Sequence, residues 1–168
     1  MSKGKIASIA SGVIVVGVIL FWMFTAPYLG NYGIYRTPGI LIGGTATPAP
    51  ADFTPLNEQH RGPVLMQQAG FPPLVVHLSW VGTPDGVITA TRPDGGYWAR
   101  RVRERGGDGK LRIGDATYNM TATEILGPER LVMMEKWAAK AGRTLDQTTS
   151  EGAEPLRDWE VFFWTPRS

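Results

Sequence analysis

The pattern of apolar and polar residues divides the chain into an apolar beginning, a connector and a region of short alternating segments. No charged residue occurs from Ile6 to Tyr28. At about 1.5 Å per residue, a helix of this length extends over the roughly 30 Å of a bilayer's hydrocarbon core. Trp22 and Tyr28 lie towards its end, where interfacial aromatic residues are frequent. The pattern predicts a transmembrane helix with a short cytoplasmic tip over residues 1–28.

A cleaved signal peptide is the alternative interpretation of this segment, with Lys3 and Lys5 at its basic start and cleavage near Ala26. The apolar run is longer than the roughly 7 to 15 residues of a signal peptide, which favours an uncleaved anchor in the inner or plasma membrane. The positive-inside rule keeps Lys3 and Lys5 in the cytoplasm and predicts an extracytoplasmic, periplasmic domain. Ser8 and Gly12 have the small-residue spacing at which membrane helices pack closely.

Glycine and proline interrupt every regular pattern in the predicted linker over residues 29–62. Within this linker, the apolar segment Ile40–Ile42 predicts either a contact with the membrane surface or a strand added to the edge of the domain. The segment Thr45–Pro50 predicts a semi-rigid spacer, because proline alternates there with small residues.

Short segments rich in valine, isoleucine, threonine and aromatic residues predict a mainly β domain over residues 63–168. The predicted strands are Val64–Gln68, Leu74–Trp80, Gly86–Arg92, Leu111–Ile113, Ala116–Glu124 and Trp159–Thr165. Gly114-Asp115 suits a two-residue hairpin turn between the fourth and fifth of these strands. The strand after the turn is predicted to direct alternate residues to one buried face, namely Ala116, Tyr118, Met120 and Ala122.

Two helices are predicted between the strands. The first runs from Tyr97 to Arg103, and the second begins at Gly127-Pro128 and ends before Gly142. The second has an apolar stripe formed by Leu131, Met134, Ala138 and Ala141, with Met134, Trp137 and Ala138 expected to face the sheet. Together with the anchor, these elements predict a transmembrane helix followed by a split β-barrel or an antiparallel β-roll.

Charge and cysteine content exclude several classes of function. Apart from Lys3 and Lys5, the basic residues number 17 − 2 = 15 and equal the 15 acidic residues. A domain so close to neutral is not expected to bind nucleic acid. The chain has no cysteine, which excludes disulfides, thiolate catalysis and cysteine-ligated metals. His60 and His77 show no metal-ligand spacing, so no metal site is predicted. The catalytic residues, if the chain is an enzyme, are not identified by the sequence.

Three segments, Asp85–Arg92, Gly96–Arg105 and Trp159–Pro166, follow one another around the predicted hairpin and the helix. In this order the chain between residues 62 and 166 resembles the flavin- and deazaflavin-binding split β-barrel family of nitroreductases and quinone reductases. The resemblance implies FMN or a deazaflavin as cofactor. The family's phosphate-binding stretch is replaced here by Gln67–Pro73, which has no basic residue, and the asparagine of its aromatic turn is replaced by Arg101.

Four arginines beside two aromatic residues form the candidate ligand site. They are Arg100, Arg101, Arg103 and Arg105, next to Tyr97 and Trp98. A guanidinium group binds phosphate or carboxylate through two hydrogen bonds. Because the resemblance places this segment at the cofactor, Tyr97, Trp98, Arg100 and Arg101 are the predicted cofactor-binding residues. The alternative is a solvated face paired with acidic neighbours, the more frequent role of a run of charges: Asp94, Glu104 and Asp108.

Two functions remain open. The preferred one is a non-catalytic accessory subunit of an integral-membrane complex, such as an electron-transfer complex, with no cofactor expected. Its partners are the lipid bilayer and a membrane protein bound through the anchor helix and the linker. The missing phosphate-binding stretch and the extracytoplasmic location favour this function. The alternative is a membrane-tethered flavin- or deazaflavin-dependent oxidoreductase that acts on quinone-like or lipophilic substrates.

Overall fold

The computed structural model describes residues 3–29, 40–93, 96–150 and 153–167. The helices are α1 (Lys3–Leu29), α2 (Leu56–Gln59), α3 (Tyr97–Arg105) and α4 (Gly127–Lys140), and a 3₁₀ turn covers Leu156–Asp158. The strands are β1 (Thr45–Ala46), β2 (Val64–Gln68), β3 (Val75–Leu78), β4 (Trp80–Thr83), β5 (Gly86–Thr91), β6 (Asp108–Ile113), β7 (Ala116–Ile125) and β8 (Glu160–Pro166).

The eight strands form one curled sheet, a half-barrel in the order β3-β2-β6-β7-β8-β5-β4, with the short β1 paired in parallel to the start of β7. The mainly β part of the predicted fold class is therefore confirmed. The predicted strand Leu74–Trp80 is wrong in one respect, since it is divided at Ser79. The division arises because β3 pairs with β2 while β4 pairs with β5, so the chain leaves one edge of the sheet and joins the other.

The predicted hairpin is confirmed. Ile113 pairs with Ala116 across a two-residue turn, and Gly114 has a φ of 62°, a left-handed conformation that glycine adopts without steric cost. The side chains of Tyr118 and Met120 that follow are buried in the core. Turn chemistry and residue alternation thus determine this part of the sheet locally.

Two apolar clusters lie on opposite faces of the sheet because successive residues of a strand point to opposite sides. On β8, Trp164 belongs to the larger cluster inside the half-barrel, whereas Val161 belongs to a second cluster that α4 covers. The buried residues of α4 are Met134, Trp137 and Ala138, as predicted. The predicted stripe is wrong at its two ends, since Leu131 is 38% exposed and Ala141 is exposed beyond the end of the helix.

The prediction of a transmembrane anchor is wrong. Among the described residues, no helix is both long enough and apolar enough to cross a membrane. The predicted orientation and the extracytoplasmic location stay predictions.

Part of the predicted linker packs on the sheet. Ile42 is buried against Leu65 and Val75, and β1 then joins the start of β7. Phe53 is fully buried in the larger cluster, and its backbone N–H donates to the carbonyl oxygen of Thr83 over 3.1 Å. Residues 30–39 of the predicted linker lie outside the described residues.

Candidate functional site

Helix α3 carries the candidate site and is positioned by its buried side. Trp98 and Val102 are buried, and the Trp98 ring packs 4.7 Å, centroid to centroid, from that of Phe162 on β8. Because successive helical residues are about 100° apart, the four arginines of the predicted cluster point to different sides of α3. The four arginines of the predicted cluster therefore do not form one site.

Arg103 belongs to an ion-pair network with the sheet. Its Nε donates to Glu124 Oε2 over 2.7 Å, and one terminal nitrogen lies 3.0 Å from Glu160 Oε2. The hydrogen bond to Glu124, above all, raises the pKa of Arg103. The alternative interpretation paired the cluster with acidic neighbours in sequence, whereas β7 and β8 supply the carboxylates for Arg103. Asp94, one of those neighbours, lies outside the described residues.

Arg101 is the buried arginine of the cluster. The residue is 3% exposed, and none of its three guanidinium nitrogens has a hydrogen-bond partner among the described residues. Its guanidinium carbon lies 5.9 Å from the centroid of the Tyr97 ring. A buried charge without a partner is costly, and an oxyanion is the ligand that would compensate it. Arg100, the next residue back, is exposed.

The loop after β2 lies beside Arg101. A Cβ atom at Gly70, which has a φ of +88°, would be 4.0 Å from a terminal nitrogen of Arg101. Arg105 donates from the same helix to the carbonyl oxygen of Phe71 over 3.1 Å. The segment Gln67–Pro73, which lacks basic residues of its own, is thus brought next to an arginine from α3.

Gln68 is a site residue that the sequence analysis did not identify. Its Nε2 donates to the carbonyl oxygen of Trp98 over 2.7 Å, and its Oε1 is buried without a partner among the described residues. Gln68 follows Val64 and Met66 on the core-facing side of β2. This alternation could have identified Gln68 from the sequence, because a side-chain amide that points into the core requires a polar partner.

Of the predicted cofactor-binding residues, the structure therefore brings Arg101 next to Tyr97 and leaves Arg100 on the outer surface. Trp98 contributes its carbonyl oxygen to Gln68, and its ring belongs to the core. Tyr97 is 52% exposed and forms the outer border of the site. The arrangement places one buried guanidinium, whose charge an oxyanion would neutralise, beside an aromatic ring.

The described residues contain no group of three or more side chains suited to a metal ion. Burial lowers the pKa of His77 on β3, which keeps its imidazole neutral at pH 7.

No family model matches the chain, and no curated protein sequence matches it. The resemblance to the flavin-binding split barrels therefore stays a prediction.

Proposed function

We propose that this protein is a non-catalytic accessory subunit of an integral-membrane complex and that α1 holds it in the complex. The observation that carries the proposal is the exposure of α1. Four consecutive apolar residues, Val13 to Val16, are between 56% and 67% exposed. Because successive helical residues are about 100° apart, these four residues cover every side of the helix.

The exposed apolar surface of α1 over Val13 to Val16 is expected to be buried against a partner. Burial of apolar area is worth roughly 25 cal/mol per Å², and large exposed apolar patches mark interaction sites. Since every side of the helix is apolar, a single groove cannot cover α1, and the occupant we infer is a group of apolar helices in a partner complex. A Cβ atom at Gly12 would meet no atom within 4 Å, which leaves room for close approach of a partner helix.

Site-specific photocrosslinking in the native cell tests this proposal. A photoreactive residue at Val15 is expected to form adducts of defined mass with one or two membrane subunits. The matched control is a photoreactive residue at Lys136, which is exposed on α4. Capture of a second copy of this chain alone, or of lipid alone, contradicts the proposal, as does equal capture from the two positions.

The burial of Arg101 favours a second candidate function, the binding of a phosphorylated flavin or deazaflavin by an oxidoreductase. The test is a fluorescence titration of the purified full chain with FMN and with a deazaflavin. Charge-assisted contacts are worth about 1.5–3 kcal/mol, so Arg101→Met is expected to weaken binding at least about tenfold. Arg100→Ala serves as the exposed control and should leave binding unchanged. If neither cofactor binds the wild-type chain, the oxidoreductase function is excluded.

A further inference from the structure

A cavity of about 450 Å³ opens near the start of β2, away from Arg101. The side chains of six residues line much of its wall: His60, Arg61, Leu65, His77, Trp80 and Arg112. No acidic side chain lines it among the described residues, so its charged groups are all basic. The volume lies within the roughly 300 to 1,000 Å³ typical of small-molecule sites.

Strand register builds one wall of the cavity. Leu65 on β2 pairs with His77 on β3 and with Arg112 on β6, which places the three side chains in a row on one face. Gln68, whose side chain donates to the carbonyl oxygen of Trp98 on α3, is three residues further along β2 and therefore points to the opposite face. The cavity and the Arg101 site are separate places in the fold.

Two guanidinium groups supply the positive charge. Arg112 donates to the carbonyl oxygens of Gly114 and Ile42, each over 3.0 Å, and these contacts fix its position. Its carboxylate neighbour, Asp115, lies at 3.4 Å with a side chain that is 78% exposed, so solvent screens this pair. Arg61 is exposed and forms no ion pair among the described residues.

The two histidines border the same space. The His60 ring lies under the β6–β7 turn, since a Cβ atom at Gly114 would be 2.4 Å from its Cε1. The backbone N–H of His60 donates to the carbonyl oxygen of Leu56 over 3.0 Å, which anchors the residue at the end of α2. His77 is 8% exposed and adds an imidazole to the wall.

Trp80 gives the cavity an apolar surface. Its Nε1 donates to the carbonyl oxygen of Gly62 over 2.9 Å, which orients the indole, and the residue is 4% exposed. Leu65, at 6% exposure, lines the same cavity. The cavity thus combines an oriented aromatic ring with basic groups, a combination that suits a ligand with one charged end and one apolar end.

We propose that this cavity binds a small organic anion, in which a carboxylate or phosphate monoester is attached to an aromatic or branched apolar body. The anionic group lies between Arg61 and Arg112, and the apolar body lies against Trp80 and Leu65. This proposal is independent of the docking of α1 and of cofactor binding at Arg101.

Nuclear magnetic resonance of the histidine rings tests the proposal directly, because the chain has only two histidines and both line the cavity. The full chain, in non-ionic detergent, is titrated with benzoate, phenyl phosphate, benzamide and inorganic phosphate. Saturable shifts of both Hε1 signals are expected with benzoate or phenyl phosphate, and whichever binds more tightly identifies the anionic group. Benzamide lacks the charge and inorganic phosphate lacks the apolar body, so each is expected to bind at least about tenfold more weakly.

Two variants distinguish ligand binding in the cavity from a general effect of removing a surface charge. Arg61→Ala changes an exposed side chain and should leave the fold intact, with binding about tenfold weaker. Arg100→Ala removes another exposed arginine, on α3, and should bind like the wild type. The proposal is overturned if the shifts do not saturate, if benzamide binds as well as benzoate, or if Arg61→Ala binds with unchanged affinity.

Discussion

Lys140, the last residue of α4, is expected to reduce the stability of the protein at neutral pH. Its Nζ lies 3.5 Å from the centroid of the Trp80 ring and has no hydrogen-bond partner among the described residues. Burial lowers its pKa from the ordinary 10.5 to about 8. The replacement Lys140→Met keeps the length and the apolar stem of the side chain and removes the charge.

The magnitude follows from two opposing effects. The pKa difference is 10.5 − 8 = 2.5, and at about 1.36 kcal/mol per pKa unit it corresponds to at most roughly 3 kcal/mol of unfavourable burial, which solvent screening of this half-buried side chain reduces. The contact with the Trp80 ring favours the charged form by about 0.5 to 2 kcal/mol. The free energy of unfolding of Lys140→Met at pH 7 is therefore expected to exceed that of the wild type by about 1–3 kcal/mol.

The direction of the Lys140 pKa shift determines how the stability of the protein changes with pH. Below pH 8 both the folded and the unfolded chain carry the proton, so the full penalty is present in the wild type. Between about pH 8 and 10.5 the folded chain loses the proton while the unfolded chain keeps it, and folded stability rises with pH. The advantage of Lys140→Met should therefore decrease across this interval.

Urea denaturation at pH 7, 8, 9 and 10 measures the difference. Lys136→Met is the matched control, because Lys136 is exposed one turn earlier on the same helix, and its stability should stay within about 0.5 kcal/mol of the wild type at each pH. The reasoning is refuted if Lys140→Met is less stable than the wild type at pH 7. That result would mean that the cation–aromatic contact outweighs desolvation.

Three further predictions concern the fold. Met134→Asp should destabilise the domain by more than about 3 kcal/mol in urea denaturation, because Met134 is fully buried, whereas Leu131→Asp should have a small effect. Gly114→Ala should be at least about 1 kcal/mol more destabilising than Gly142→Ala in the same assay, since both glycines have positive φ and only at Gly114 would the added Cβ collide with a histidine ring. Arg101→Met should raise the thermal midpoint of the ligand-free protein, because it removes an unpaired buried charge.

Local chemistry explains why much of the β domain was predictable from the sequence. The strand Val64–Gln68 and the turn at Gly114-Asp115 occur at the predicted positions, since residue alternation and turn residues act over a few positions. The break at Ser79 was not predictable in this way. It depends on which strands close the two edges of the half-barrel, and that choice is made by residues distant in sequence.

The candidate site shows the same limit. The run of arginines was evident in the sequence. The helix period alone does not show which arginine is buried, because burial of Arg101 depends on how the loop after β2 packs against α3. The neighbour of Arg101 at Gly70 is 31 residues away by the numbering, 101 − 70 = 31. The partners of Arg103 come from β7 and β8 for the same reason.

Buried basic groups give the β domain an expected role beyond that of a scaffold. Arg101 and Lys140 have buried nitrogens without hydrogen-bond partners among the described residues, and apolar residues in the same places would make a fold of this kind more stable. A domain selected only to display α1 has no physical reason to retain such groups. An anionic ligand provides a reason at Arg101, because a bound anion restores the interactions that burial removes. The anion proposed for the cavity lined by Trp80 lies at a separate place, between Arg61 and Arg112. An accessory subunit docked through α1 that also binds an anion is consistent with both sets of observations, and it requires no chemistry from the protein itself.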